Sequence, residues 1–118
     1  MDPNSLLTDT PENLARIYYK KLLASNIPVT KLIIFGSYAK GTAKPYSDLD
    51  LCVVSPIFGK DRHNERLQLN KISLQIDSLI EPHPYSPETL IEKYDSLAEQ
   101  IRLTGKTVSL TYSSTSDR

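Results

Sequence analysis

Lys31-Leu-Ile-Ile-Phe-Gly-Ser-Tyr-Ala-Lys-Gly-Thr-Ala-Lys-Pro-Tyr-Ser-Asp-Leu-Asp-Leu-Cys-Val-Val54 is the stretch that decides how the rest of the chain reads. Leu32 to Phe35 is a short, uninterrupted apolar run closed by Gly36, the pattern of a strand covered on both faces, and hence central. Leu49 to Val54 reads as a second strand, between the Pro45-Tyr46-Ser47 turn and the Ser55-Pro56 break. Side chains alternate along a strand, so Asp48, Asp50 and Cys52 share one face while Leu49, Leu51 and Val53 share the other.

The acids and the turn carry chemistry. Magnesium prefers oxygen ligands and is usually held by one or two carboxylates together with substrate phosphates, and Asp48 and Asp50 supply such a pair. Gly36 permits a sharp turn and a close approach of backbone N–H groups to a ligand, while Ser37 adds a hydroxyl, which together make the parts of a phosphate cradle. Lys40 and Lys44 are flexible point charges for phosphate oxygens. Ser47 is expected to bond locally, to the turn or to a carboxylate. Taken singly, each feature is commonplace. Six positions specified together (Gly36, Ser37, Gly41, Ser47, Asp48 and Asp50) arise by chance on the order of once in ten million starting points at average composition.

Working outward, Thr10-Pro11-Glu12 is a helix start, and Leu14, Ile17, Tyr18 and Leu22 follow helical spacing to about Ala24. Asp61 to Asn70 is polar with helical character. From Ile72 to Ile80 apolar and polar residues alternate, predicting a strand with Ile72, Leu74 and Ile76 on a buried face and Ser73, Gln75 and Asp77 on a polar one. Lateral pairing would bring Asp77 beside Asp48 and Asp50 as the third carboxylate that two-metal transfer requires. Ser86-Pro87-Glu88 starts a further helical region, in one piece or two, down to Gly105. Thr107 to Tyr112 is an expected edge strand. His63 and His83 read as surface or loop residues, because hard magnesium does not favour imidazole.

The 118 residues fit one domain, expected over 1–112 with a frayed tail at 113–118. Fourteen basic residues balance fourteen acidic ones, without the basic excess of a nucleic-acid binder, so direct nucleic-acid binding is not expected. Cys52 is the only cysteine and lies in an apolar run, which reads as a small buried hydrophobe. Neither a signal peptide nor a membrane span of about 20 apolar residues is legible, giving a cytoplasmic expectation without membrane contact.

The segment from Leu32 to Val54 resembles the nucleotidyltransferase superfamily that includes polymerase β, whose signature is Gly-Ser, a ten-residue spacer and Asp-x-Asp with a third acid on a later strand. Its wording is more closely similar to the minimal nucleotidyltransferases, the MNT antitoxins paired with HEPN toxins. The resemblance implies an α/β (α+β) fold with a small mixed sheet flanked by helices. It also implies a triphosphate bound by Gly36 and Ser37 with Lys40 and Ser47 nearby, and two magnesium ions held by Asp48, Asp50 and Asp77. The implied reaction moves AMP from ATP to a tyrosine hydroxyl of a HEPN RNase toxin, in a hetero-oligomer with that toxin. Neutralisation by binding alone, or transfer to a small molecule or RNA end, are the alternatives. Lys40 stands where the family often has Arg, which keeps the charge but loses the bidentate fork. Only 41 residues follow Asp77, too few for an added helical domain, so the acceptor is expected to arrive on a partner.

Overall fold

Thr10 accepts a hydrogen bond from the Asn13 N–H, and Pro11 and Glu12 occupy the first turn of helix α1, Pro11–Ala24. The computed structural model describes residues 5–110. Leu14, Ala15, Tyr18 and Leu22 form the buried face of α1, whereas Ile17 lies off that stripe and is half exposed. The chain continues through β1 (Lys31–Phe35), the single-turn helix α2 (Ser37–Lys40), β2 (Leu49–Val54), α3 (Arg62–Ser73) and β3 (Ile80–Tyr85). A 3₁₀ turn at Thr89–Ile91, helix α4 (Ser96–Thr104) and the short β4 (Lys106–Thr107) complete it.

The strands form one mixed sheet in the order β3-β2-β1-β4. β1 is antiparallel to both β2 and β4, while β2 and β3 run parallel. The expected small mixed sheet flanked by helices is therefore present, with β1 and β2 at its centre. Leu32, Ile34, Leu49, Leu51 and Val53 face the larger core with Leu14, Tyr18, Leu22 and Leu69. Ile33, Phe35, Cys52, Val54 and Tyr85 face a smaller core closed by Ala98 and Ile101. Burying both faces is what an unbroken apolar strand requires, since either face left in water would forfeit the hydrophobic gain. The Tyr18 hydroxyl donates to the Leu69 carbonyl at 2.9 Å, which ties α1 to α3 inside the larger core.

The expected strand over 72–80 is corrected by the structure. Asp61 caps α3 by accepting from Asn64 N–H, and Glu65 reaches back to the N–H groups of Gly59, Lys60 and Asp61. The helix then runs through Ser73, with Leu69, Ile72 and Ser73 buried and Leu74 65% exposed. Leu69, Ile72 and Ile76 are spaced i, i+3, i+7, so the same residues that alternate also satisfy the helical period over a longer window. The strand lies further on, at Ile80-Glu-Pro-His-Pro-Tyr85, where two prolines argue against strand by sequence rules. They are tolerated because β3 is an edge strand. The carbonyls of Leu79 and Tyr85 accept from Leu49 and Ser55 of the β2 side, so the odd-numbered residues bond inward and the proline nitrogens face the open edge.

The helical region after Ser86 is divided. Asp95 caps α4 by accepting from Ala98 N–H, and Ile91 and Tyr94 before it are exposed. β4 is shorter than expected, pairing only Lys106 and Thr107 with Ile34 and Ile33. Residues 111 and 112 of the expected edge strand and the tail at 113–118 lie outside the described residues.

Candidate active site

Phe35 pairs with Asp50 across β1 and β2, which puts the turn after β1 directly beside the acid-bearing start of β2. Gly36 forms that turn with φ 72° and ψ −148°, a conformation essentially reserved for glycine. A Cβ at Gly36 would overlap the Asp50 carboxylate. The missing side chain thus serves two ends, the backbone reversal into α2 and the room occupied by Asp50. Ser37 opens α2 and, with Tyr38, Gly41, Ala43 and the Thr10–Glu12 corner of α1, lines an open cavity of about 320 Å³. Lys40 is exposed at the end of that turn. Ser47 closes the next turn: its Oγ accepts from Lys44 N–H at 2.8 Å, and its own N–H donates to the Lys44 carbonyl.

Asp48 is exposed just before β2 and lines a polar cleft of about 320 Å³ that also includes Arg66, Asn70, Ser78 and Glu81. Asp50 is half buried and pairs in parallel register with Glu81 of β3, as Cys52 does with His83. Neighbouring register partners on one face place their side chains side by side. One ligand atom from each of Asp50, Glu81 and His83 lies within 4.8 Å of the others. Arg66 of α3 donates to Oε2 of Glu81 at 2.7 Å and fixes the carboxylate from outside. His83 directs Nε2 toward Oδ1 of Asp50 at 3.6 Å, and its ring meets the Phe35 ring edge-on with centroids 5.1 Å apart. That Nε2 is buried and has no hydrogen-bond partner.

Asp77 sits elsewhere. It is buried in the turn between α3 and β3, where Oδ2 accepts from the N–H and hydroxyl of Thr8 at 2.9 and 3.0 Å. Oδ1 accepts from Leu79 N–H at 2.9 Å. These bonds strap the segment before α1 to the entrance of β3. The sheet neighbour of Asp50 is Glu81, four residues beyond the acid expected from sequence. The signal for Glu81 and His83 was the spacing of Pro82 and Pro84, which marks a strand whose alternate nitrogens need no partner and so sets 81, 83 and 85 on one face.

Beyond His83 the same sheet face carries an ionic cluster. The Tyr85 hydroxyl donates to Oδ2 of Asp95 at 2.9 Å, and the Arg62 guanidinium lies over the Tyr85 ring and 3.4 Å from the same carboxylate oxygen. Burial and the adjacent Asp95 carboxylate push the Tyr85 hydroxyl's pKa up. Burial opposes ionisation of Asp95, but Ala98 N–H, the Tyr85 hydroxyl and Arg62 outweigh it and hold the carboxyl below its ordinary range. Cys52, behind the site, is fully buried, and desolvation pushes its thiol up to about 12.

A glycine turn against an acid pair, in a mixed sheet with the neighbouring parallel strand supplying a further carboxylate, is the arrangement of a phosphate-handling enzyme. The family model for the nucleotidyltransferase domain matches residues 17–106, and the chain belongs to that family. No curated protein matches it. Among solved structures it is similar to a Sulfolobus solfataricus protein assigned as a nucleotidyltransferase, with 18% identity over 81% of this chain and 77% of that one and a TM-score of 0.57. It is also similar to a chain of the toxin–antitoxin MntA–HpeT in a mutant form, at 26% identity, 81% and 72% coverage and a TM-score of 0.52. A chain from a toxin–antitoxin structure with AMP-PNP matches at 24% identity, 84% and 76% coverage and a TM-score of 0.50. No helix among the described residues is long and apolar enough to cross a membrane.

Proposed function

We propose that this protein is an antitoxin that transfers AMP from ATP to a tyrosine hydroxyl of a cognate HEPN RNase toxin. The observation that carries the transfer reaction is the side-by-side placement of Asp50 and Glu81 beneath the Gly36 turn. The toxin as acceptor is supported by the 26% identity to a chain of the MntA–HpeT toxin–antitoxin.

The donor set fits a divalent cation: Asp48, Asp50 and Glu81 offer hard oxygen ligands, with Glu81 replacing Asp77 as the third acid. Magnesium bound there would neutralise charge that develops on the phosphates. Gly36 keeps the turn free of a side chain where the triphosphate approaches, and the Ser37 hydroxyl and the Lys40 ammonium provide donors to phosphate oxygens. Ser47 holds the turn that presents Asp48. Arg66 fixes the Glu81 carboxylate, which accepts the proton of the acceptor hydroxyl. The hydroxyl oxygen bonds to the α-phosphorus, the bond from that phosphorus to the bridging oxygen breaks, and pyrophosphate leaves with the electron pair. The chain would act as one domain in the cytoplasm, in a hetero-oligomer with its toxin.

Incubation with labelled ATP, magnesium and the cognate HEPN protein tests this reading. Label should appear on a toxin tyrosine with wild-type protein and disappear with Asp48→Asn combined with Asp50→Asn. Neutralisation of the toxin without any labelling, unaffected by those substitutions, would establish the binding-only alternative.

A further inference from the structure

We propose that His83 Nε2 is a direct donor to the cation held by Asp50 and Glu81, so that this site takes a first-row transition ion in preference to magnesium. The inference rests on the cation site assigned above and concerns which ion occupies it.

His83 is placed for this by the sheet. It follows Glu81 by two residues on β3, and the Cys52–His83 register pair sets it on the face that carries Asp50. The Phe35 ring packs against the imidazole and helps to fix its direction. The Nε2 atom, buried and without a hydrogen-bond partner, therefore points at Asp50 rather than into solvent. A buried polar atom without a partner calls for an explanation. At 3.6 Å, its approach to Asp50 Oδ1 is too long for a hydrogen bond. The separations suit a shared ion better. With metal–ligand bonds of about 2.1 Å, adjacent donors of an octahedron lie about 3 Å apart and opposite donors about 4.2 Å. The three ligand atoms here fall within 4.8 Å of one another, which small side-chain rotations bring to those values.

The chemical consequence concerns selectivity. Magnesium dehydrates reluctantly and prefers oxygen, whereas imidazole nitrogen is a good ligand for first-row transition ions. An all-carboxylate site discriminates weakly between them. Replacing one oxygen by a buried imidazole tilts the balance toward the transition ion, and the neighbouring carboxylates retain the charge that either ion needs.

Manganese(II) is the probe because its electron spin reports directly bound nitrogen. Pulsed electron paramagnetic resonance of the full chain with manganese should show a directly coordinated ¹⁴N, replaced by the ¹⁵N pattern when histidine alone is isotopically labelled. That second measurement needs no variant and so does not depend on a variant's folding. In His83→Gln the nitrogen coupling should vanish. By competition titration, manganese affinity should fall at least tenfold in that variant, while magnesium affinity changes less than threefold. Manganese that binds and is lost in Asp50→Asn, yet shows no histidine nitrogen in the wild type, overturns the proposal, as does equal loss of both ions in His83→Gln. Nitrogen coupling without any AMP transfer would support this inference while removing the proposed reaction.

Discussion

Gly36 and Asp50 compete for the same space: a Cβ on Gly36 would overlap the Asp50 carboxylate. The turn after β1 and the acid of β2 are thus one feature. Gly36→Ala adds a methyl group in a conformation reserved for glycine and displaces Asp50. Stability should fall by about 1–3 kcal/mol, as read from urea denaturation. AMP transfer should fall by more than tenfold, because both the turn and the carboxylate move. Unchanged transfer would show that the close approach is unnecessary.

Glu81 and Asp77 should respond in opposite ways. Glu81→Gln keeps the shape of the side chain and removes its charge, so transfer should fall about a hundredfold, roughly 2.7 kcal/mol of barrier, with the melting temperature nearly unchanged. Asp77→Ala leaves the donors of Thr8 and Leu79 without their acceptor and should lower stability by about 2–3 kcal/mol. Transfer per folded molecule should remain within about threefold of wild type. Measuring both quantities on both variants separates the roles, and a reversal of this pattern would return the third-acid role to Asp77.

Asp95 should make the protein acid-sensitive. Its folded-state pKa is depressed, because Ala98, Tyr85 and Arg62 outweigh the desolvation that opposes its charge. Its stabilising contribution is therefore complete above the unfolded value of about 3.9 and is lost as pH falls through the lower folded value. Denaturation midpoints measured from pH 7 downward should show an acid-side loss that is smaller in Asp95→Asn. At neutral pH, Asp95→Ala should also cost about 1 kcal/mol through the lost α4 cap.

Cys52 should be inert in the native state. With its thiol fully buried and pushed up to about 12, almost no thiolate forms at pH 8. A thiol-specific chromogenic reagent should react only as the protein unfolds, in step with loss of circular dichroism. Rapid labelling of folded protein would show that the sheet face behind the site opens.

The first half of the chain was closely legible. The helix cap at Thr10, the two apolar strands and the Gly36 turn are local patterns, and each agrees with its neighbours in the fold. Alternation correctly divided β2, with Leu49, Leu51 and Val53 in one core and Cys52 in the other. The segment around Asp77 was misread because Ile72, Leu74 and Ile76 satisfy a strand period over five residues while Leu69, Ile72 and Ile76 satisfy a helical one. Only burial against the sheet separates those readings, as the exposure of Leu74 shows.

What the sequence determined by itself is the Gly36-Ser37 turn and the Asp48-Leu49-Asp50 strand entrance, because both are set by neighbouring residues and by backbone sterics. Which residues join them was decided by tertiary structure. Glu81 and His83 reach Asp50 only through the parallel register of β2 and β3, and that register depends on β3 lying at the sheet edge, where its two prolines lose no hydrogen bond. Asp77, the acid the sequence offered, was drawn instead to the N–H groups of Thr8 and Leu79, since a buried carboxylate must find donors where the fold brings them.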